Sequence, residues 1–445
     1  MIDGERRLKP TILREFIKYC SANVLSMVAL SAYILIDTFF IAREMGSDGL
    51  AALNLAIPMY NIMFAFGLMV GIGGATRYNV LKSRGNIEGA HRVFTASAMI
   101  IFAASVFFML IGFYFADVLT WALGADDIVF KMSRDYLRII LLSSPLFLTT
   151  VLLTSFLRND GAPITAMGSM LLSSMSNIVF DYILIVRMQM GMRGAALATT
   201  YAATLGLLFV FIYIAINGCS FRLVRQRVAG KTFARIFSIG LPACITEGSL
   251  GIVIISFNLI MMRFLGNTGV AAYALIANIS VVLFAIYNGL AQGIQPLISR
   301  NYAIGNTSNI RAVMRYAFFC SAGISALFYA FAFFGADIIS TAFNRDNDML
   351  FQETAVPGIR IFFAGCFFAC FNIIISTYFA ATEQARPAQI FTVLRGFLFI
   401  IPTALLLSSL FGVTGVWLSL PVTEVIVLLI AISYYFKRKG GSFGY

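Results

Sequence analysis

Along most of this chain apolar residues run in stretches far longer than a globular helix needs, and short polar segments cut them at near-regular intervals. A helix rising about 1.5 Å per residue crosses a hydrocarbon core in about 20 residues. On that measure the pattern predicts twelve spans, at about 15–42, 50–81, 93–116, 135–157, 164–187, 194–216, 236–264, 270–300, 312–335, 357–381, 388–411 and 413–436. The alternation of an outer-membrane strand is absent, so the spans read as helices. Backbone groups in lipid must bond internally, and an all-α integral membrane bundle follows.

The pattern also repeats. A shift of 220 residues lays REMGSDGLAAL (Arg43 to Leu53) on RFLGNTGVAAY (Arg263 to Tyr273), and it matches Gly73 with Gly293, Gly85 with Gly305 and Asn86 with Asn306. A shift of 221 matches Gly191 with Gly412 and Gly194 with Gly415. The chain therefore divides into an N-terminal six-helix lobe at 1–216, a basic connector at 217–235 and a C-terminal six-helix lobe at 236–445. An even number of spans per repeat gives both copies one orientation, so their pseudo-twofold runs along the membrane normal. A cavity between two such lobes can open to either side in turn, which is a geometry for transport.

Composition narrows the class further. With 60% hydrophobic and 12% charged residues and a mean hydropathy of +0.88, the chain is neither a soluble globule nor disordered. The formal net charge of +12 does not point to nucleic acid, because the basic residues sit in short loops. Arg6, Arg7 and Lys9, then Lys82, Arg84 and Arg92, Arg222 to Arg235, Arg311 and Arg315, and Lys437 to Lys439 mark one side; Asp126, Asp127, Asp346 and Asp348 mark the other. The bias predicts a multi-pass protein of the cell (inner) membrane with both termini cytoplasmic. The polar, basic N-terminus shows no cleavable signal and reads as an amphipathic lead-in. The single histidine, His91, reads as a loop residue, and Cys366 and Cys370 share a helical face without further ligands, which favours packing over zinc.

Four carboxylates lie well inside apolar stretches: Asp37, Asp181, Glu247 and Glu424. An ionised side chain at membrane depth costs roughly 2.5 to 3.5 kcal/mol even on the gentler insertion scales, so each needs a partner or a cavity. Asn177 and Asp181 share one helical face, and Asp37 and Asp181 reach similar depths, so the two acids can meet in one pocket. The bland alternative is that Asn177 and Asp181 only glue helices by hydrogen bonds. The repeat places Phe257 opposite Asp37 and Pro402 opposite Asp181, so the C-terminal half has no copy of the pair. Two carboxylates held together away from water suit proton exchange or capture of Na⁺, and the sequence does not choose between them. Glu247 is a candidate contact for a cationic substrate, with a hydrogen bond to Asn258 as the alternative. Glu424 reads as a structural pairing residue, Thr199 and Thr200 as possible hydroxyls for the acidic pocket, and Arg360 and Arg395 as residues that snorkel. No metal-ligand or catalytic motif is present; GIGGATR (Gly71 to Arg77) lacks the strand and the GK[ST] of a phosphate loop.

Taken together, IDTFFIAREMGSDGLAALNLAIP around Asp37, GIGGATRYNVLKSRGN after span 2, NIVFDYILI with MGMRGAALATT in spans 5 and 6, and GVAAYALIANISVVLFAIYNGLAQGIQPLISRNYAIGN in span 8 resemble the multidrug and toxic compound extrusion (MATE) transporters, in their bacterial multidrug-efflux branch. The resemblance covers nearly the whole chain. It implies a V-shaped pair of lobes exporting cationic amphipathic drugs or organic cations against inward H⁺ or Na⁺ by alternating access, as a monomer, with no cofactor and no enzymatic activity. It also implies that Asp37, Asn177, Asp181 and Thr199 form the coupling site, with Na⁺ a possible occupant at Asp37, Asn177 and Asp181; the substrate contacts read from the residues are Asp37, Asp181 and Glu247, although Glu247 stands about a turn out of register with the acids of the C-terminal lobe in some relatives. Span 10 carries no carboxylate in its apolar middle, which favours coupling in the N-terminal lobe. Two rival functions are a flippase for lipid-linked saccharides on the same two-lobe plan, which would favour several cavity arginines, and an intramembrane enzyme with Asp37 and Asp181 as an acid-base dyad.

Overall fold

A computed structural model describes residues 2–125, 127–225, 229–344 and 348–440, and among these every regular element is helical. Asp126, Asp346 and Arg227, which the charge pattern uses, lie outside the described residues. Among the described residues, eleven helices are long and apolar enough to cross a membrane, and a bent pair, taken as one span, makes twelve. In order they are α1 (Ile12–Gly46), α2 (Asp48–Ser83), α3 (Ile87–Tyr114), α4 (Phe130–Leu142 with Ser144–Asn159), α5 (Pro163–Arg187) and α6 (Gly191–Asn217). The second set is α7 (Gly230–Gly266), α8 (Thr268–Ala303), α9 (Thr307–Thr341), α10 (Met349–Ala381), α11 (Ala385–Phe411) and α12 (Val413–Tyr434).

Three details depart from the sequence pattern. The expected single span at 135–157 is two helices meeting at 50°, because Pro145 at the start of the second cannot donate to the turn before it. His91 belongs to the first turns of α3 rather than to a loop. Gly230 to Arg235, expected in the connector, form the first turns of α7. Helix also runs back from α1 to Ile2.

The repeat is written into the backbone. Gly46 and Gly266, one repeat apart, break their helices with φ/ψ of 64°/−151° and 59°/−143°, a region that a Cβ disfavours. A single glycine thus reverses the chain between α1 and α2, and again between α7 and α8. Asn86 and Asn306 cap α3 and α9 in the same way, each side-chain oxygen accepting from the amide three residues on, Gly89 at 2.8 Å and Asn309 at 3.1 Å.

Each lobe has its own apolar core, one built on Ile41, Met63, Leu148 and Phe156, the other on Phe257, Ile276, Phe363 and Trp417. The two lobes then exchange helix ends. The first half of α1 (Ile12, Phe16, Cys20) packs on Leu290, Ile294 and Ile298 of α8 and Val313 of α9, while Ile236 of α7 joins the N-terminal core. Close backbone contact makes the exchange possible: a Cβ on Gly240 would fall 1.8 Å from the Met69 carbonyl oxygen, and one on Gly289 would fall 2.6 Å from Val24 Cα. These two crossings are repeat-related, since Gly240 stands opposite Cys20 and Gly289 opposite Met69.

Polar contacts between the lobes follow the same level. Asn79 donates to Ser299 Oγ at 2.7 Å and to the Pro296 carbonyl at 3.1 Å, and the Arg77 guanidinium pairs with Glu383 at 2.8 Å. Arg300 pairs with Glu15 at 2.5 Å, Gln295 donates to Thr76, and Arg158 donates to Gln292. Among the described residues, the interlobe hydrogen bonds and ion pairs all fall in the halves of the helices nearest the two chain ends. The molecule is thus latched on that side of the membrane.

Candidate functional site

Two polar sites lie at membrane depth, one in each lobe. In the N-terminal lobe α1 contributes Asp37, α5 contributes Asn177 and Asp181, and α6 contributes Thr199. Asp37 is 7% exposed, Asn177 2%, Asp181 0% and Thr199 8%. Their convergence follows from spacing: Asn177 and Asp181 are one turn apart on α5 and both face inward, while α1 packs against α5 on the side that carries Asp37. The two carboxylates are close enough for their charges to interact.

The donors and acceptors of this site do not balance. Asn177 donates a long hydrogen bond of 3.4 Å to Thr199 Oγ1, and Thr199 donates back to the Ala195 carbonyl at 3.1 Å. Asp37 Oδ1, Asn177 Oδ1 and both carboxylate oxygens of Asp181 accept nothing among the described residues, although all are shielded from solvent. A cluster of oxygen acceptors without donors at this depth is costly unless it holds a proton or a hard cation. The hydroxyls of Tyr33 of α1, Tyr60 of α2 and Tyr136 of α4 stand within electrostatic reach of Asp37, and that of Tyr136 also of Asp181, without bonding the unpartnered carboxylate oxygens. The spacing of these tyrosines does not mark them: Tyr33 is one turn from Asp37, and Tyr60 and Tyr136 lie on other helices, where they are not distinguishable in the sequence from ordinary aromatic packing. Thr200, the other hydroxyl considered for the pocket, donates instead to Ser143 Oγ at 3.0 Å and to Ala196, at the break in α4.

The C-terminal lobe has a different chemistry. Glu424 of α12, 2% exposed, accepts from Arg395 of α11 at 2.9 Å and from the Asn372 side chain of α10 at 2.7 Å. Asn372 also reaches the Glu424 carbonyl at 2.8 Å. Arg395 does not snorkel as its sequence position suggests. A π-turn at Leu394–Leu398 and the close packing of Gly396 on Ser249 carry it into the lobe, where its side chain is 11% exposed. Arg360 lies about three turns inside α10 rather than at its end, because the helix begins at Met349, and its exposed side chain is paired with Asp337 of α9 at 2.7 Å. Cys366 and Cys370 are buried in the core of this lobe, without a group of metal ligands among the described residues.

Between the lobes, just above the latch, is a cavity of about 100 Å³ lined by Glu247 and Arg395 with Asn288, Gln292, Gln295 and Ser376. Glu247 faces this cavity and not Asn258, which stands three turns further along α7. Among the described residues no donor is bound to Glu247. The cavity floor is set by Gln292 and Gln295, which the N-terminal lobe grips through Arg158 and Thr76. The arrangement offers an acidic pocket inside one lobe and a single open carboxylate between the lobes.

Comparison with known proteins places this architecture. The MatE family model matches residues 23–183 and 242–406, one block in each lobe. The chain is 27% identical to the multidrug export protein MepA of Staphylococcus haemolyticus (strain JCSC1435) over 409 residues, which cover 92% of this chain and 89% of that protein. MepA of Staphylococcus aureus (strain MSSA476) is likewise 27% identical, over 90% of this chain and 88% of its own length. Among solved structures, a multidrug resistance MATE family transporter of the MOP superfamily in an outward-facing conformation superposes with a TM-score of 0.89 at 20% identity, covering 95% of both chains.

Proposed function

The chain belongs to the MatE family of membrane transporters, and from that premise we propose that it is a secondary antiporter exporting cationic amphipathic compounds in exchange for H⁺ or Na⁺ by alternating access. Membership in a transporter family removes the intramembrane-enzyme reading of Asp37 and Asp181. The observation that carries the proposal is the set of buried, donor-less oxygens of Asp37, Asn177 and Asp181, a site whose chemistry suits a proton or a hard cation. Asp37, Asn177, Asp181 and Thr199 form the coupling site, and Glu247 in the interlobe cavity meets the positive charge of the substrate. Both termini face the cytoplasm in this reading, so the latched side is the cytoplasmic side. One chain contains both lobes and works as a monomer.

The broad substrate class is supported by the two MepA relatives, which are multidrug export proteins, and by the aromatic and methionine content, 14% and 19 residues, which offers polarizable surface to flat cations. A flippase for lipid-linked saccharides is less well supported, because Arg395 of the interlobe cavity is already neutralised by Glu424 and the remaining charge there is acidic. In the cycle proposed, an ion entering from outside neutralises the carboxylate pair, α1 repacks, and the organic cation is released. Each charge moved down 100 mV supplies about 2.3 kcal/mol to this exchange.

Efflux of a fluorescent organic cation from proteoliposomes, under an imposed pH gradient or an imposed Na⁺ gradient, tests the reading. Gradient-driven efflux that disappears in Asp37→Asn supports coupling in the N-terminal lobe and names the ion. Full activity of a well-expressed Asp37→Asn protein refutes that site, and absence of transport under either gradient from folded wild-type protein refutes antiport of such cations.

A further inference from the structure

The connector between the lobes carries more order than a linker needs. After α6 ends, Phe221 turns inward and packs on Phe94, Phe156 and Tyr78 of the N-terminal lobe, with ring centroids 4.6, 5.7 and 6.2 Å apart. The Arg222 amide then donates to His91 Nδ1 at 3.3 Å, and the Val224 amide donates to Thr95 Oγ1 at 3.0 Å. The segment is therefore laid along the first turns of α3, with the side chains of Arg222 and Arg225 exposed.

One helical turn beyond Thr95, α3 begins to wall a groove of about 510 Å³. Its sides are Met99, Ala103 and Phe107 of α3 and Phe66 of α2 in one lobe, and Phe233 of α7 in the other. Lys231, exposed, stands two residues before Phe233. An apolar slot that bridges the two lobes thus has three exposed cations at the end nearest the chain termini: Arg222 and Arg225 from the connector, and Lys231 from α7.

We infer that this groove is a binding site for an anionic phospholipid. One acyl chain lies between Phe66, Met99 and Phe107 on one wall and Phe233 on the other, and the phosphate lies against Arg222, Arg225 and Lys231. Apolar burial supplies non-directional affinity, and the cation cluster selects a negative head group at the membrane surface. The same cluster repels a lipophilic cation, so the groove is not a side entrance for the exported compounds. Phe233 lies in the first turns of α7, which pack on the N-terminal core, so the lipid ties the start of the C-terminal lobe to the N-terminal lobe at the latched end. This inference does not depend on which ion drives transport or on which acids carry it.

The test is thermal unfolding of the purified full chain in mixed micelles of detergent with phosphatidylcholine or with phosphatidylglycerol. Phosphatidylglycerol should raise the midpoint by about 2–4 °C over phosphatidylcholine, the size expected of a ligand near saturation on a native state. The shift should vanish in Ala103→Trp, which fills the groove from an exposed position, and in the Arg222→Gln/Arg225→Gln double variant, which keeps the groove and removes charge. An equal midpoint in the two lipids for the wild type overturns the inference, as does a shift that survives both variants. It is also overturned if tetraphenylphosphonium, and not phosphatidylglycerol, gives the shift that Ala103→Trp removes, since the groove would then belong to the substrate.

Discussion

The two lobes share one fold and treat buried charge in opposite ways. In the N-terminal lobe Asp37 and Asp181 lie together with four oxygens of the site unbonded. In the C-terminal lobe the buried acid, Glu424, is held by Arg395 and Asn372. The repeat puts Ser174 opposite Arg395 and Ala203 opposite Glu424, just as it puts Phe257 opposite Asp37. Neither polar cluster has a counterpart across the pseudo-twofold. A duplicated scaffold therefore supplies the hinges, caps and crossings twice, whereas each lobe has its own polar interior. A fixed cation such as Arg395 makes the second site permanent; an exchangeable one would make the first site part of a cycle.

The largest effect should come from the unpaired acids. Asp181→Asn and Asp37→Asn, made separately, should each reduce gradient-driven efflux in proteoliposomes to the level of empty vesicles, with the unfolding midpoint unchanged or raised. Stability should not fall, because a buried amide costs less than a second buried charge. If either variant instead unfolds more readily while retaining transport, the pair is structural and the contrast between the lobes disappears.

The paired acid should behave in reverse. Removing one partner, as in Arg395→Ala, leaves Glu424 buried beside an amide and should lower unfolding stability by about 3–5 kcal/mol. Replacing both, as in Arg395→Met/Glu424→Leu, should recover most of that loss, since an apolar pair of similar volume often equals a buried ion pair. Denaturant titration in detergent measures both. Retained ion-coupled efflux in the double variant would sharpen the division of labour; a folded double variant without coupling would move the proposed ion site to the C-terminal lobe.

How much of this contrast could be read in the sequence depends on what kind of spacing encodes it. The repeat carries the hinge glycines Gly46 and Gly266 and the caps Asn86 and Asn306 at one shift, because backbone conformation is specified locally and survives as identity. The pairing of Asn177 with Asp181 was visible as one helical turn, and Asp37 joined them by depth. Arg395 and Glu424 were not legible as partners. They are 29 residues apart on different helices, and a π-turn rotates Arg395 away from the face that regular helix geometry assigns it. The break in α4 was marked by Pro145 next to two serines, but the continuous hydropathy of 135–157 hid it. Tyr33, Tyr60 and Tyr136 were hidden among 18 tyrosines, most of which only pack.

The lobes can also be compared where they touch. At one crossing Gly240 of α7 meets Met69, and at its repeat-related partner Cys20 of α1 meets α8 near Gly289 and Gly293. Gly240→Val sets a Cβ 1.8 Å from the Met69 carbonyl oxygen of α2, so that the helices must separate, and should cost the latched state at least about 1–3 kcal/mol. The expected result is slower efflux in proteoliposomes and a lower unfolding midpoint. Cys20→Ala, which removes volume and not backbone clearance, should leave both nearly unchanged. Equal effects from the two variants would mean that the crossings bear load symmetrically.

The smallest expected effect tests the axis itself. Asn79 and Ser299 are equivalent positions of the repeat, and they bond one another at 2.7 Å, so they lie close to the pseudo-twofold. Asn79 has two further interlobe or neighbouring partners, the Pro296 carbonyl at 3.1 Å and Asn159 Oδ1 at 3.3 Å, and Ser299 lacks the equivalent pair. Asn79→Ala should therefore cost about 1–2 kcal/mol and Ser299→Ala about 0.5–1 kcal/mol. A double-mutant cycle in unfolding stability should return a coupling near 0.5–1 kcal/mol for the shared bond. A coupling of zero would mean that the two lobes are latched by the flanking contacts of Arg77, Arg300, Arg158 and Gln295, and that the axial pair merely occupies the place where the repeat brings the halves together.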